Sequence, residues 1–434
     1  MYIKIFIICC CINLSFAQQY WIQQPSPTSR KLSRIIFADS LNGWSSGDSG
    51  TIINTTNGGI SWGIQNSGYP DHLIDDMFFL NNNTGWCVVN DFIYTSSKVI
   101  KTTNGGLNWN TAAVMDSSIV FSCIAFVNSS TGFISGFSGL IYKSTNGGSN
   151  WFRTYVDSNF CPLLYLLPKM NFSFYNAQTG YVSGGHFDLQ GIIWRTTDSG
   201  ENWTTFCSSP EPLKRIKVIT PQRIFSVGGD PEYGASTVQS YDSGKSWLYD
   251  TTGYFGIGTA IAFRTAAEVW VPLYIDTFWA VSLDSGMFHS VWQKIPTPNK
   301  TYLIDAMFVN PRFGWACGVD GVLAKYNSNI IGISEQNNEV PLKSLLMQNY
   351  PNPFNPVTTI KYYLANSSIV KITIYDITGR QVEIFEQGSL PAGEYQLLIN
   401  VSKYASGVYL YKIDAVNLSN GKLFTESKKM VLLK

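Results

Sequence analysis

Two carboxylates set across a cleft can hydrolyse a glycosidic bond, one protonating the leaving oxygen while the other activates water or attacks directly. Asp75, Asp76, Asp230, Glu232 and Asp305 could supply such a pair. A second route to chemistry is an arginine triad gripping a substrate carboxylate. The chain has nine arginines, and the strings nearest to an Arg-Ile-led start are RIIF at 34 and RIKV at 215. His72, His186 and His289 stand far apart with no partner at ligand spacing, so no metal site is expected. No G-x-S-x-G nucleophile turn occurs. None of these patterns selects a catalytic residue, and no cofactor is called for.

A glycine-rich stretch, TTNGGISW at 55–62, offers other chemistry. A phosphate cradle would want a lysine after the glycines. A calcium loop would want alternating carboxylates. The stretch instead recurs: TTNGGLNW at 102–109, STNGGSNW at 144–151, TTDSGENW at 196–203 and SYDSGKSW at 240–247, with a degraded LDSGMFHSVW ending at Trp292. Three copies contain no carboxylate. The stretch reads as a turn. Asn57, Asn104, Asn146, Asp198, Asp242 and Asp284 would bond backbone groups two residues on, and a glycine would take positive φ. Trp62, Trp109, Trp151, Trp203 and Trp247 would pin the turn to the core.

The elements that position these residues follow from a second motif. NGWSSG, TGWCVV, TGFISG, TGYVSG, RIFSVG, AEVWVP and FGWACG place an aromatic at 44, 86, 133, 181, 225, 270 and 315. Successive spacings of 42, 47, 48, 44, 45 and 45 residues are those of a propeller with one four-stranded blade per repeat. In the second unit LIDDMFFL, WCVV, VIKTT and NWNTAAV read as strands A to D, and TTNGG lies in the C–D hairpin. Trp21 lies 23 residues before Trp44, the register of a D strand, whereas the last unit has A, B and C but no D. The two ends therefore complete one blade. The expected fold is all-β, a seven-bladed β-propeller over 18–328 whose closure removes free sheet edges.

The B–C connections are longer in units two, four and five, at NDFIYTSSK, GGHFDLQG and GGDPEYGAS. The D–A connection after unit three, around FRTYVDSNFCPLLYLLPKM, is longer too. In an up-and-down blade these loops share one face, opposite the C–D turns. That face is expected to bind a protein or polysaccharide through Phe92, Tyr94, Phe152, Arg153, Tyr155, Phe160, His186, Phe187, Asp230, Glu232 and Tyr233. An extracellular glycoside hydrolase on the same scaffold is the alternative.

Composition agrees with an exported protein. The chain is 45% hydrophobic but only 14% charged, with net charge +1, which gives no nucleic-acid footprint. Residues 1–17 read as a signal peptide, with Lys4, an apolar core and a Ser15-Phe16-Ala17 cleavage site. No other stretch is long and apolar enough for a transmembrane segment. Cys87, Cys123, Cys161, Cys207 and Cys317 remain, mostly as expected buried thiols; Cys161–Cys207, in irregular segments, is the one candidate bridge. A polar linker over 329–344 precedes a run of short strands and Gly/Pro turns, which suits a small Ig-like β-sandwich.

YPNPFNPVTTIKY, IYDITGRQV, AGEY, SGVYLYK and KKMVLLK, over 345–434, resemble the C-terminal sorting domain of the type IX secretion system. The resemblance implies the outer-membrane translocon as a partner, and release or attachment at the cell surface. The repeats resemble the photosystem II stability/assembly factor family and, more loosely, the sialidase-type Asp-box proteins. No arginine cluster maps onto a photosystem-docking patch, so only the fold is expected from that likeness.

Overall fold

The computed structural model describes residues 20–114, 120–137, 140–157, 168–187, 189–328, 344–349, 351–366, 368–390, 393–417 and 421–433. The signal peptide, all but the last residue of the linker, Phe160 and Cys161 lie outside these residues. The chain divides into two compact units, Met1–Ile330 and Ile331–Lys434. Regular structure among the described residues is β-strand apart from two short 3-10 turns. No described helix is long and apolar enough to cross a membrane.

Among the described residues, the first unit contains seven sheets, five of four strands and two of five, each built on an antiparallel meander. Unit two is typical: His72–Phe79, Gly85–Asp91, Ser97–Thr102 and Asn110–Val114 lie in chain order from inside to outside. Each sheet packs against the next, and the seventh packs against the first. The seventh sheet draws on both ends of this unit. Trp21–Gln24 pairs antiparallel with Leu323–Tyr326 and supplies the outer strand to Leu303–Asn310 and Phe313–Gly318.

Packing between sheets explains the Gly-aromatic motif. A Cβ added to Gly43, Gly85, Gly132, Gly180 or Gly314 would lie 2.3–2.8 Å from the ring of Phe37, Phe79, Phe126, Phe174 or Phe308 respectively, on the A strand of the same sheet. The glycine thus makes room for a phenylalanine, which in units one to four stacks on the aromatic of the preceding sheet; Phe308 instead meets Trp21 and Tyr326 of its own sheet edge-on. Phe79 lies on Trp44 at 3.8 Å between ring centroids, Phe126 on Trp86 at 3.7 Å, and Phe37 on Trp315 at 3.6 Å. The same indoles donate to the next hairpin: Trp44 Nε1 to Gly105 O, Trp86 Nε1 to Gly147 O and Trp315 Nε1 to Gly58 O, at 2.9–3.0 Å.

The hairpins share one set of bonds. In unit two Asn104 Oδ1 accepts the N–H of Asn108 at 3.0 Å, and Thr102 Oγ1 accepts the N–H of Gly106 at 2.8 Å. Thr102 also donates to Asn104. Equivalent bonds to the Asx side chain recur at Asn57, Asn146, Asp198 and Asp242. The bond therefore spans four residues rather than two, and the hydroxyl two places ahead is a second anchor. Trp203 is fully buried, and Trp62, Trp109, Trp151 and Trp247 are partly buried against neighbouring cores.

Trp270 faces the seventh sheet, which has no C–D hairpin because the two ends of this unit meet there. Its Nε1 donates to Glu268 instead, and its ring packs edge-on against Trp21 and Trp279. Cys87, Cys123 and Cys317 are buried and outside any disulfide. Cys207 is disulfide-bonded and sits inside the strand Asn202–Ser209, not in an irregular segment.

In the second unit, Leu345–Leu346, Val357–Leu364 and Gly393–Asn400 form one sheet. Gln381–Leu390, Ser368–Asp376, Gly407–Asn417 and Leu423–Leu432 form another. Ile360, Tyr362, Ile372, Tyr411 and Met430 from the two sheets share one core.

Candidate functional site

The innermost strands carry a recurring irregularity. Pairing to the second strand slips at Leu32/Arg34, Ile74/Asp76, Phe121/Cys123, Lys169/Asn171, Leu213/Arg215 and Leu303/Asp305. A bulge re-aims the residues around it. Here it turns Ser33, Asp75, Ser122, Met170 and Lys214 into one cleft of about 250 Å³, together with Arg34, Asp76, Arg215 and Thr259. Tyr94 and Phe137, from the B–C loops of units two and three, form its rim.

The cleft floor is a charge network. Asp305 accepts from Arg34 Nη1 at 3.2 Å, Arg215 Nη2 at 2.9 Å, and the backbone N–H groups of Ile35 and Ala306 at 3.0 Å. Asp76 accepts the N–H groups of Ile124 and Met77 at 2.9 Å. Arg34 Nε lies 2.5 Å from Asp76 Oδ1, too poorly aligned for a hydrogen bond. Asn171 does the same stitching in unit four, accepting the N–H of Ile216 at 3.1 Å. Each of these three side chains reaches the backbone of the following sheet.

Burial pushes the Asp76 carboxyl up to about 6, against the pull of Arg34. Burial likewise raises Asp305, against Arg34 and its hydrogen bonds, and Asp75, against hydrogen bonds from Asn90 and Tyr94. Burial works against the Arg34 charge too, but Asp76 and Asp305 outweigh it and the guanidinium rises above its ordinary value. Lys214 differs. Its ammonium lies 4.5 Å from the Phe187 ring centroid, with no carboxylate within 4.0 Å among the described residues, and burial lowers it to about 8.

The expected site residues separate into three groups. Tyr94, His186 and Phe187 lie at or beside the cleft: Tyr94 meets Phe137 edge-on at 5.6 Å, and His186 Nδ1 lies 2.8 Å from Phe187 O. Asp230 is buried and holds its own loop, accepting the N–H groups of Glu232 and Tyr233 at 2.8 and 2.7 Å. Asp91 plays that part in unit two, accepting from Thr95 N at 2.7 Å and thereby presenting exposed Phe92 and half-exposed Tyr94. Tyr233 is exposed at its own loop tip.

Phe152, Arg153 and Tyr155 lie elsewhere than expected. Phe152–Arg153 is the outer strand of sheet three, pairing with Tyr142 and Lys143. Tyr155–Asp157 adds a parallel fifth strand outside Asn202–Thr204 of sheet four. Part of the long D–A insertion thus satisfies backbone groups along a sheet edge and does not line the loop face. Of the five carboxylates named as a possible pair, Asp76 and Asp305 meet through Arg34, whereas Asp230 and Glu232 belong to one loop. Sequence reading missed Phe137, Met170 and Lys214. It had set Arg34 and Arg215 aside, although their two similar strings were visible.

Residues 348–431 match the secretion system C-terminal sorting domain, which marks the chain for export by the type IX system to the cell surface or the medium. Residues 69–211 match the photosynthesis system II assembly factor YCF48. No curated protein matches the chain in sequence. Among solved structures, YCF48 from Cyanidioschyzon merolae is similar, with TM-score 0.57 and 18% identity over 72% of this chain and 100% of that one. A structure of YCF48 bound to D1 peptide gives 0.56 and 18% over 71% and 97%. The GH74 xyloglucanase from Xanthomonas campestris gives 0.57 at 10% identity, over 78% of this chain and 59% of the enzyme. These likenesses establish a β-propeller-type fold.

Proposed function

We propose that this chain, a YCF48-type β-propeller followed by a type IX sorting tail, is an extracellular binding module whose protein or polysaccharide ligand docks at the inner cleft. On this reading residues 18–328 are a seven-bladed propeller closed by the N-terminal strand. Residues 1–17 are a signal peptide, 329–344 a linker, and 345–434 an Ig-like domain read by the outer-membrane translocon.

One observation carries the binding reading. Exposed or half-exposed aromatics from two neighbouring units, Tyr94 and Phe137, stand over a floor whose carboxylates are already engaged. Asp305 and Asp76 each accept two backbone N–H groups and face arginine, so they hold sheets together. A hydrolase would need a free acid or base, and Asp75, the other carboxylate lining the cleft, accepts from Asn90 and Tyr94. That a YCF48 structure holds a peptide is a precedent for ligand binding on this fold.

The test is a double variant, Tyr94→Ser with Phe137→Ser, used as immobilised bait against surface extracts and a glycan array beside the parent. Partner capture should fall at least tenfold, about 1.4 kcal/mol, with little change in melting temperature. Capture that survives the double variant but is lost on changing Asn81 or Asn310, on the opposite face, would overturn the placement.

A further inference from the structure

The A strand of sheet five, Leu213–Val218, carries three cations in four positions: Lys214, Arg215 and Lys217. Arg215 is neutralised by Asp305 at 2.9 Å. The two lysines are not. Each is partly buried, and neither has a carboxylate within 4.0 Å among the described residues; each faces an aromatic ring instead, Phe187 at 4.5 Å and Phe263 at 5.6 Å. Burial lowers both ammonium groups, Lys214 to about 8.

A ring face compensates a desolvated ammonium only in part, and an unpaired buried charge is costly to maintain. Every other charge on the cleft floor has been given a counter-charge or a set of hydrogen bonds. Lys214 stands out because it occupies the bulge position, which turns it into the cleft rather than toward a neighbouring sheet.

We infer that the cleft takes a carboxylate of an acidic peptide segment, seated against the Lys214 ammonium, with a neighbouring apolar side chain held by Tyr94, Phe137 and Met170. This rests on the binding reading above and names the ligand chemistry for the same cleft. The size of the cleft favours peptide over an acidic glycan. About 250 Å³ holds one acidic side chain and part of another residue, but not an extended row of sugars. An incoming carboxylate would give Lys214 its missing partner, and a thioether with two aromatic rings suits an apolar side chain.

The experiment uses the full mature chain with lysines ¹³C-dimethylated, so that the Lys214 resonance can be followed. The probes are acetyl-Phe-Glu-amide, acetyl-Phe-Gln-amide and a galacturonate trimer. The glutamate peptide should bind at least tenfold more tightly than the glutamine peptide and should raise the Lys214 titration midpoint by a unit or more. Lys214→Met should abolish that preference without lowering the melting temperature, since it removes a buried charge. Equal binding of the two peptides, or a preference that survives Lys214→Met, would overturn the inference. Tighter binding of the galacturonate trimer in a Lys214-dependent way would overturn the peptide assignment and place an acidic glycan there. Loss of partner capture in the Tyr94/Phe137 double variant, with none in Lys214→Met, would leave the binding face standing and remove only the carboxylate.

Discussion

On one side of the ring, five hairpins repeat the same two anchors, an Asx oxygen and a hydroxyl that both accept backbone N–H groups. On the other side, the B–C loops differ in length and content, and each is held in its own way. Asp91 anchors the loop of unit two and Asp230 that of unit five. Four of the five hairpins serve neighbours, each accepting from an indole or hydroxyl of the preceding sheet. A side chain bound to such work cannot change freely. The loops across the ring bear no such obligation, and lengthening them costs little folding free energy.

The comparison breaks most severely where the repeats are interrupted. Deleting residues 20–24 removes the outer strand of the seventh sheet and the ring that stacks on Trp279 at 4.7 Å. We expect aggregation or loss of cooperative unfolding, read by light scattering and calorimetry. Next in size is Asp305→Ala, which takes the counter-charge from Arg215, leaves Arg34 with Asp76 alone and frees the Ile35 N–H. Chemical denaturation should show a loss of about 3–5 kcal/mol, as for a broken buried ion pair.

Asn104→Ala tests the hairpin side alone. It should cost about 0.5–2 kcal/mol and leave ligand affinity unchanged; loss of binding at constant stability would make the hairpin a site. The smallest effect concerns pH. Hydrogen bonds from Thr95 and Ser96 hold the Asp91 carboxyl down at about 2. Its ordinary value is about 3.9, so the loop's order is fully present above that pH and is lost as pH falls through about 2. Amide protection, taken relative to the intrinsic exchange rate at each pH, should fall at residues 92–96 between pH 4 and pH 2, with protection of the hairpin at 102–108 unchanged over the same range.

Much of this architecture is legible in one dimension. The register of Trp21 against Trp44 places a strand where the structure pairs Trp21–Gln24 with Leu323–Tyr326, because period and phase survive projection onto sequence. The Asx residues are likewise visible, since their bonds are local. The cleft is not. Arg34 and Asp305 are 271 residues apart and meet only because the ring closes. Lys214 enters the cleft through a one-residue bulge, which alternation of apolar and polar residues does not encode. Tyr155 was misplaced for a related reason: its strand pairs parallel, beyond the up-and-down order assumed for each unit.

The split seventh sheet has a consequence for how the protein comes to exist. Trp21 is among the first residues of the ring to be made, yet its pairing partners lie at Leu323–Tyr326. Bringing such distant segments together carries a chain-entropy cost of about 5 kcal/mol for some 300 residues. No intermediate length of nascent chain can recover that cost, since the joint does not exist until Tyr326 has been delivered. A chain delivered from its N-terminus therefore stays open for nearly the whole length of the ring, and latches only when its last strand arrives.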